Sequence, residues 1–90
     1  MIETKIEVVN KLGLHARASS KLAQLAARYA SDIRLGKEGE SLVDAKSIMG
    51  LMLLAAGIGS SLILRAEGED EQDAVDAITK LFADKFGEGE

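Results

Sequence analysis

The chain carries one histidine, His15, with Arg17 two residues beyond it, in the stretch Asn10-Lys11-Leu12-Gly13-Leu14-His15-Ala16-Arg17. A strand-like run precedes this stretch and a helix-like run follows it. Residues of these types at such a junction have the parts of a phosphate site. A helix N-terminus offers unpaired backbone N–H groups, that of Ala16 among them, and the positive end of the macrodipole. The arginine offers a planar fork of donors to phosphate oxygens. An imidazole, mostly neutral near pH 7, offers a nucleophilic nitrogen. A lone histidine is as often a solvated or structural side chain, so these residues alone leave both readings open.

A second stretch, residues 45–57, is apolar nearly all round, whereas a helix covering one face of a sheet needs a single apolar stripe. If Leu51, Leu54 and Ala55 face the core, then Ile48, Met49 and Met52 face solvent. Contiguous exposed apolar surface marks a partner site, and methionines suit a surface that repacks against several partners. The alternative is that neighbouring loops cover this face. Ser47 stands where an N-cap is expected. By spacing its simplest role is that cap, although a phosphate there would suit the helix end electrostatically.

The elements that must position these residues follow from periodicity. Ile2, Thr4, Ile6 and Val8 alternate with Glu3, Lys5, Glu7 and Val9, the pattern of a half-buried strand. After a turn at Gly13, Ala18, Leu22, Leu25, Ala26 and Tyr29 recur at helical spacing, with Lys21, Gln24 and Arg28 on the other face. Residues 32–35 read as a short strand, 36–39 as a hairpin turn and 40–43 as the returning strand. Helix signals resume at Ser47 and stop near Gly57 or Gly59. Residues 61–67 form a strand with Leu62, Leu64 and Ala66 on one face. Asp70 is the expected N-cap of a final helix whose apolar face is Ala74, Ile78, Leu81, Phe82 and Phe86. Gly87 is expected to stop it, and residues 88–90 to form a frayed tail. The order βαββαβα predicts an α+β fold, an antiparallel-dominated sheet with helices on one face. It does not fix strand order, and a ferredoxin-like split βαβ would read the same way.

The chain has 90 residues, read as one domain over 1–90, with room for a modest core and little for a deep cleft. Aromatic residues are only 3%, so the core must be built mainly from aliphatic side chains. With no cysteine and a single histidine, neither a disulfide nor a metal site is expected, and no cofactor is called for. A net charge of −4 counts against nonspecific nucleic-acid binding. The first residues do not read as a signal peptide, and the apolar run over residues 48–58 is about half the length of a membrane-spanning helix. A soluble, cytoplasmic monomer without membrane insertion is expected.

Gly13-Leu14-His15-Ala16-Arg17 together with Lys46-Ser47-Ile48-Met49-Gly50 closely resembles the HPr family, the histidine-containing phosphocarriers of the bacterial phosphoenolpyruvate-dependent phosphotransferase system. The resemblance spans essentially the whole chain in element order, length and motif spacing. It implies an open-faced β-sandwich, four antiparallel strands with three helices on one face. It implies that His15 accepts phosphate on Nδ1 from enzyme I, which takes it from phosphoenolpyruvate, and passes it to a sugar-specific IIA component. The chain is then a protein substrate and not an autonomous enzyme. By position Arg17 matches the family's active-site arginine, and Ser47 matches the serine phosphorylated by HPr kinase/phosphorylase. Ile48, Met49 and Met52 fall on the family's partner-docking helix, beside Ser20, Lys21 and Gln24 of the first helix. The family often has proline after the arginine, where this chain has Ala18. Alanine is an adequate replacement in a first helical turn, so a slightly less rigid site with unchanged chemistry is expected. The same variant recurs among HPr-like proteins of proteobacteria that keep the kinase, and some of those systems lack sugar permeases and act in regulation, so a nitrogen-regulatory branch without sugar uptake is the alternative within the family.

Two other functions compete. A ligand-sensing or RNA-binding module of ferredoxin-like fold is disfavoured by the acidic charge and the scarcity of aromatic stacking platforms. A free-standing phosphatase or phosphotransferase using His15 as nucleophile needs a general acid and a closed pocket, and no acid lies near His15 in sequence.

Overall fold

The computed structural model of the chain describes residues 1–88. Strand β1 (Ile2–Glu7) leads to α1 (Ala16–Ala26), β2 (Asp32–Lys37), β3 (Val43–Asp44), α2 (Ile48–Leu53), β4 (Ser61–Glu67) and α3 (Glu71–Ala83). A short 3-10 turn over Lys85–Gly87 follows. The sheet order is β1-β4-β2-β3 with every pair antiparallel. The last strand therefore lies between β1 and β2, which periodicity could not decide. Helices α1 and α3 pack on each other, α2 packs on α1, and α3 lies against β1 and β4. This is the open four-stranded sheet with three helices that the motifs implied.

The period-two patterns become faces through register. The pairs Ile6↔Leu62, Leu35↔Leu64 and Ile33↔Ala66 bring buried side chains together under the helices. On the open face the same pairing aligns Glu3, Arg65, Arg34 and Asp44 across all four strands. Acids thus bracket two neighbouring arginines, and Arg65 Nη2 donates to Glu3 Oε1 at 2.7 Å. Such cross-strand pairs let one side of an antiparallel sheet face water.

Several boundaries differ from the sequence-based expectation. Strand β2 continues to Lys37, and β3 pairs only at Val43 and Asp44. Gly36 permits this, because a Cβ there would come within 2.8 Å of the Leu42 side chain. The reversal is made further on, with Gly39 at φ +83°. Helix α2 ends at Leu53, well short of Gly57, because Ala55 turns left-handed at φ 50°. The amides of Leu54 and Ala55 bond three residues back, which tightens the last turn. Ala55, expected in the core, is exposed, and Ala56 is buried instead. Helix α3 ends at Ala83 and not at Gly87. Phe86 is buried, as its apolar character requires, but from the turn beyond the helix. Tyr29 likewise lies past the end of α1 and is partly buried.

Candidate functional site

The site is built on the loop between β1 and α1. Pairing with the β4 side continues past β1: Val8 N–H donates to Ser60 O at 2.9 Å and Val8 O accepts from Gly59 at 2.8 Å. The chain then turns over residues 10–13, with Gly13 N–H on Asn10 O at 3.2 Å. Gly13 has φ +66°, and a Cβ on it would lie 2.3 Å from Ala56 O. Only glycine fits both the dihedral and the space. Next to it, Leu14 N–H donates to the same Ala56 oxygen at 2.9 Å. The two sequence motifs are thereby joined, because the segment that leaves α2 supports the loop that carries His15.

His15 is the N-cap of α1, with φ −73° and ψ 179°, and its side chain makes no cap bond. Its carbonyl accepts from Ser19 N–H at 2.9 Å, and the buried Ser19 hydroxyl donates to Leu14 O at 3.0 Å. The amides of Ala16, Arg17 and Ala18 occupy the first turn, where a helix supplies no internal acceptor. Ala18 is fully buried and still anchors the start of the helix without the proline. Arg17 is exposed and makes no ion pair with the described residues. Lys21, expected on the docking face, is exposed but has its ammonium on Phe86 O at 2.6 Å. Ser20 and Gln24 are joined to each other, Gln24 Nε2 donating to Ser20 Oγ at 3.0 Å.

The imidazole is partly shielded, and the cause is a residue that sequence reasoning missed. Glu88, expected in a frayed tail, returns to the site and sets Oε2 at 2.5 Å from His15 Nε2. Its other oxygen accepts from Asn10 Nδ2 at 3.0 Å. The same Asn10 nitrogen donates to Gly13 O at 2.8 Å, and Asn10 is completely buried. Desolvation alone would raise the Glu88 carboxyl. The hydrogen bonds from Asn10 and His15, with the charges of His15 and Lys21, outweigh it and hold the carboxyl below the usual glutamate range. No acid adjoins His15 in sequence, but one does in space. Residues 89 and 90 of the expected tail lie outside the described residues. The available signal was Phe86: a large apolar side chain two residues before Glu88 must be buried, and burying it holds the following residues against the molecule.

Around these groups lies an open pocket of about 660 Å³, lined among others by Lys11, His15, Arg17, Lys21 and Glu88. Among the described residues of the lining, Arg17 and Lys21 bring positive charge beside the Glu88 carboxylate, and cationic groups of this kind favour an anion. Among the described residues no group of three or more His, Cys, Asp or Glu is placed to hold a metal ion. Among the described residues no helix is long and apolar enough to cross a membrane.

On α2, Ser47 is the N-cap, its Oγ accepting from Gly50 N–H at 3.1 Å. Lys46 is tied down by its ammonium on Tyr29 O at 2.8 Å. Leu51 and Leu54 are buried, while Ile48, Met49 and Met52 are exposed. Three further apolar residues that the sequence did not single out, Leu12, Leu53 and Ile58, are also exposed. Leu53 is the last residue of α2, and Ile58 lies in the loop between α2 and β4.

Residues 2–84 match the family model described as PTS HPr component phosphorylation site. The chain is 54% identical over 90 residues to "Phosphocarrier protein HPr" of Cupriavidus necator, covering all of both chains. It is similar to the crystal structure of HPr-C-His from Thermoanaerobacter tengcongensis, with a TM-score of 0.92, 44% identity and 98% of each chain covered. It is also similar to a structure of an HPr dimer from the same organism, with a TM-score of 0.77, 44% identity, and 98% of this chain and 100% of that one covered.

Proposed function

The chain belongs to the HPr family of phosphotransferase-system phosphocarriers, and on that footing we propose that His15 takes a phosphoryl group from enzyme I and gives it to a IIA-type protein. One observation carries the reading: the imidazole stands at the N-cap of α1 without being used as a cap, beside a pocket lined by Lys11, Arg17 and Lys21. In the accepting step a ring-nitrogen lone pair attacks phosphorus, a P–N bond forms, and the bond to the donor breaks with its electron pair leaving on the donor. The giving step runs the same exchange in reverse. The amides of Ala16 and its neighbours, the helix dipole and the Arg17 guanidinium face the charge on the transferring oxygens.

The pocket is open to solvent, and a docking partner would complete it. That suits a protein substrate better than an autonomous enzyme. Ile48, Met49 and Met52 supply an apolar docking surface, with Ser20, Lys21 and Gln24 on α1 beside the pocket. Ser47 is the regulatory site of an HPr kinase/phosphorylase, where a phosphate would add charge next to that apolar surface. A single chain acting in the cytoplasm is part of this reading, on the strength of the family alone.

Incubation with phosphoenolpyruvate and enzyme I tests this reading. The expected product is an acid-labile phosphate on His15. His15→Ala should take up none while keeping the wild-type circular dichroism, because the imidazole is not part of the core. Phosphate uptake by that variant would remove His15 from its role.

A further inference from the structure

The contact between Glu88 and His15 has a direction. We propose that Glu88 is a positioning residue that keeps the proton of His15 on Nε2 and so makes Nδ1 the phosphoryl acceptor. The proposal rests on the carrier reading above and adds to it the group that selects the reacting nitrogen.

The argument is a chain of donors and acceptors. Gly13 O can only accept, so it fixes the Asn10 amide with Nδ2 toward it, at 2.8 Å. The same nitrogen then donates to Glu88 Oε1 at 3.0 Å and holds the carboxylate in place. Reversing the Asn10 amide would set its oxygen against the Gly13 oxygen and the carboxylate, so its orientation is not free. The second carboxylate oxygen, at 2.5 Å from His15 Nε2, can only accept when ionised. The carboxyl of Glu88 is held below the usual glutamate range against its own desolvation, and the Asn10 hydrogen bond and the Lys21 charge favour its ionised form whatever the state of the ring. Nε2 must therefore carry a hydrogen, and in the neutral ring the lone pair is left on Nδ1. No side-chain cap bond takes up that nitrogen.

The proton stays on Nε2 through the transfer. The Nδ1 lone pair forms the P–N bond, the bond to the donor breaks with its pair, and the ring becomes a cation that still holds Nε2–H. The Glu88 carboxylate then faces a positive ring across a charge-assisted hydrogen bond. When the phosphoryl group leaves, its electron pair returns to Nδ1 and the ring is neutral again. Among the described residues, Lys11, Arg17 and Lys21 are the other charged groups lining the pocket, and all are cations that cannot accept from Nε2–H. The tail is held over the ring by Phe86, whose buried side chain packs on Phe82 at 4.9 Å between centroids, and by Lys21 on the Phe86 carbonyl.

A glutamine at this position tests the direction of the chain. Asn10 Nδ2 demands the amide oxygen of the glutamine, so the amide NH₂ is turned toward Nε2. There it donates, and the ring is driven to the Nδ1–H tautomer. Glu88→Ala instead leaves the tautomer to solvent. Nitrogen-15 NMR of the full, unphosphorylated chain should show Nε2–H in the wild type, a mixture in Glu88→Ala and a shift toward Nδ1–H in Glu88→Gln. Phosphoryl uptake at low enzyme I should fall in the same order. The glutamine variant should be slower by about ten- to a hundredfold, the scale on which carboxylate partners of working histidines act in metal sites. A tail that merely covered the pocket would make alanine the more damaging change. An unchanged tautomer in Glu88→Gln, or alanine slower than glutamine, overturns the proposal. The tautomer is read before any phosphate is present, so absence of uptake by the wild type would sink the carrier reading while the tautomer still decides the role of Glu88.

Discussion

At the residue scale the site divides labour between side chains that sequence shows and side chains that only folding brings together. Arg17 follows His15 by two residues and shares its pocket, so its role can be tested directly. Arg17→Ala should slow phosphoryl uptake by about a hundredfold without abolishing it, the scale of losing one charge-stabilising donor. The helix amides remain. Arg17→Lys should recover only part of the rate, because a point charge replaces a planar fork. Initial rates at low enzyme I decide, and wild-type rates in both variants would detach Arg17 from the reaction. His15 and Arg17 were legible because a loop-to-helix junction is a local feature. Glu88 lies 73 residues further along, and no local pattern links it to the histidine. Asn10 was visible only as a loop residue, since its bond to Glu88 joins it to a residue 78 positions away.

At the element scale, periodicity gives the type of the long segments but not the ends of the helices, since α1 stops before Tyr29 and α3 before Phe86. Strand β4 has the boundaries that alternation predicts, because Leu62, Leu64 and Ala66 must all be buried on one face. The extent of α2 was misjudged because an unbroken apolar run carries no stop signal, and the residue that ends it, Ala55, is not one that prefers a left-handed dihedral. The C-terminal turn hides its signal in the same way. Lys85 and Phe86 both have left-handed dihedrals, at about 1–2 kcal/mol per residue for non-glycine types. Burial of the Phe86 ring offsets that cost, so Phe86→Ala should lose about 3–5 kcal/mol in urea unfolding and release the tail from His15. If the Nε2–H tautomer survives intact in that variant, the ring is not what holds the tail. Ser47→Asp should behave oppositely at its own helix. Aspartate caps as well as serine, so thermal stability should be kept or slightly raised. The charge beside Ile48, Met49 and Met52 should nonetheless weaken docking of enzyme I, since an apolar partner surface would have to desolvate it. Equal rates of His15 phosphorylation at subsaturating enzyme I would reduce Ser47 to a cap.

At the scale of the whole molecule, carboxylates join distant parts of the chain, and this sets its response to acid. Asp70 begins α3, yet its side chain does not cap that helix. It reaches instead to the turn before β2, accepting from Ala30 N–H at 2.8 Å, from Ser31 N–H at 3.0 Å and from the Ser31 hydroxyl. The Ser31 hydroxyl and then the Ala30 amide hold its carboxyl below the usual aspartate value. Glu88 is lowered at the other end of the molecule, where its hydrogen bonds and nearby charges outweigh desolvation. A carboxyl whose folded pKa lies below its unfolded one contributes stability that is complete above the unfolded value. That contribution is lost as pH falls through the folded value. Thermal melts should therefore be nearly level down to about pH 5 and decline below it, the range in which such carboxylates give up their contribution. Asp70→Asn keeps the shape but not the charge, so its melting temperature should lie below that of the wild type at pH 7. The gap should close as pH falls through the lowered pKa of Asp70, because the protonated wild-type side chain then resembles the amide. A gap independent of pH would mean that Asp70 holds the α3 end to the β2 turn by shape alone, and that its ionisation does not contribute.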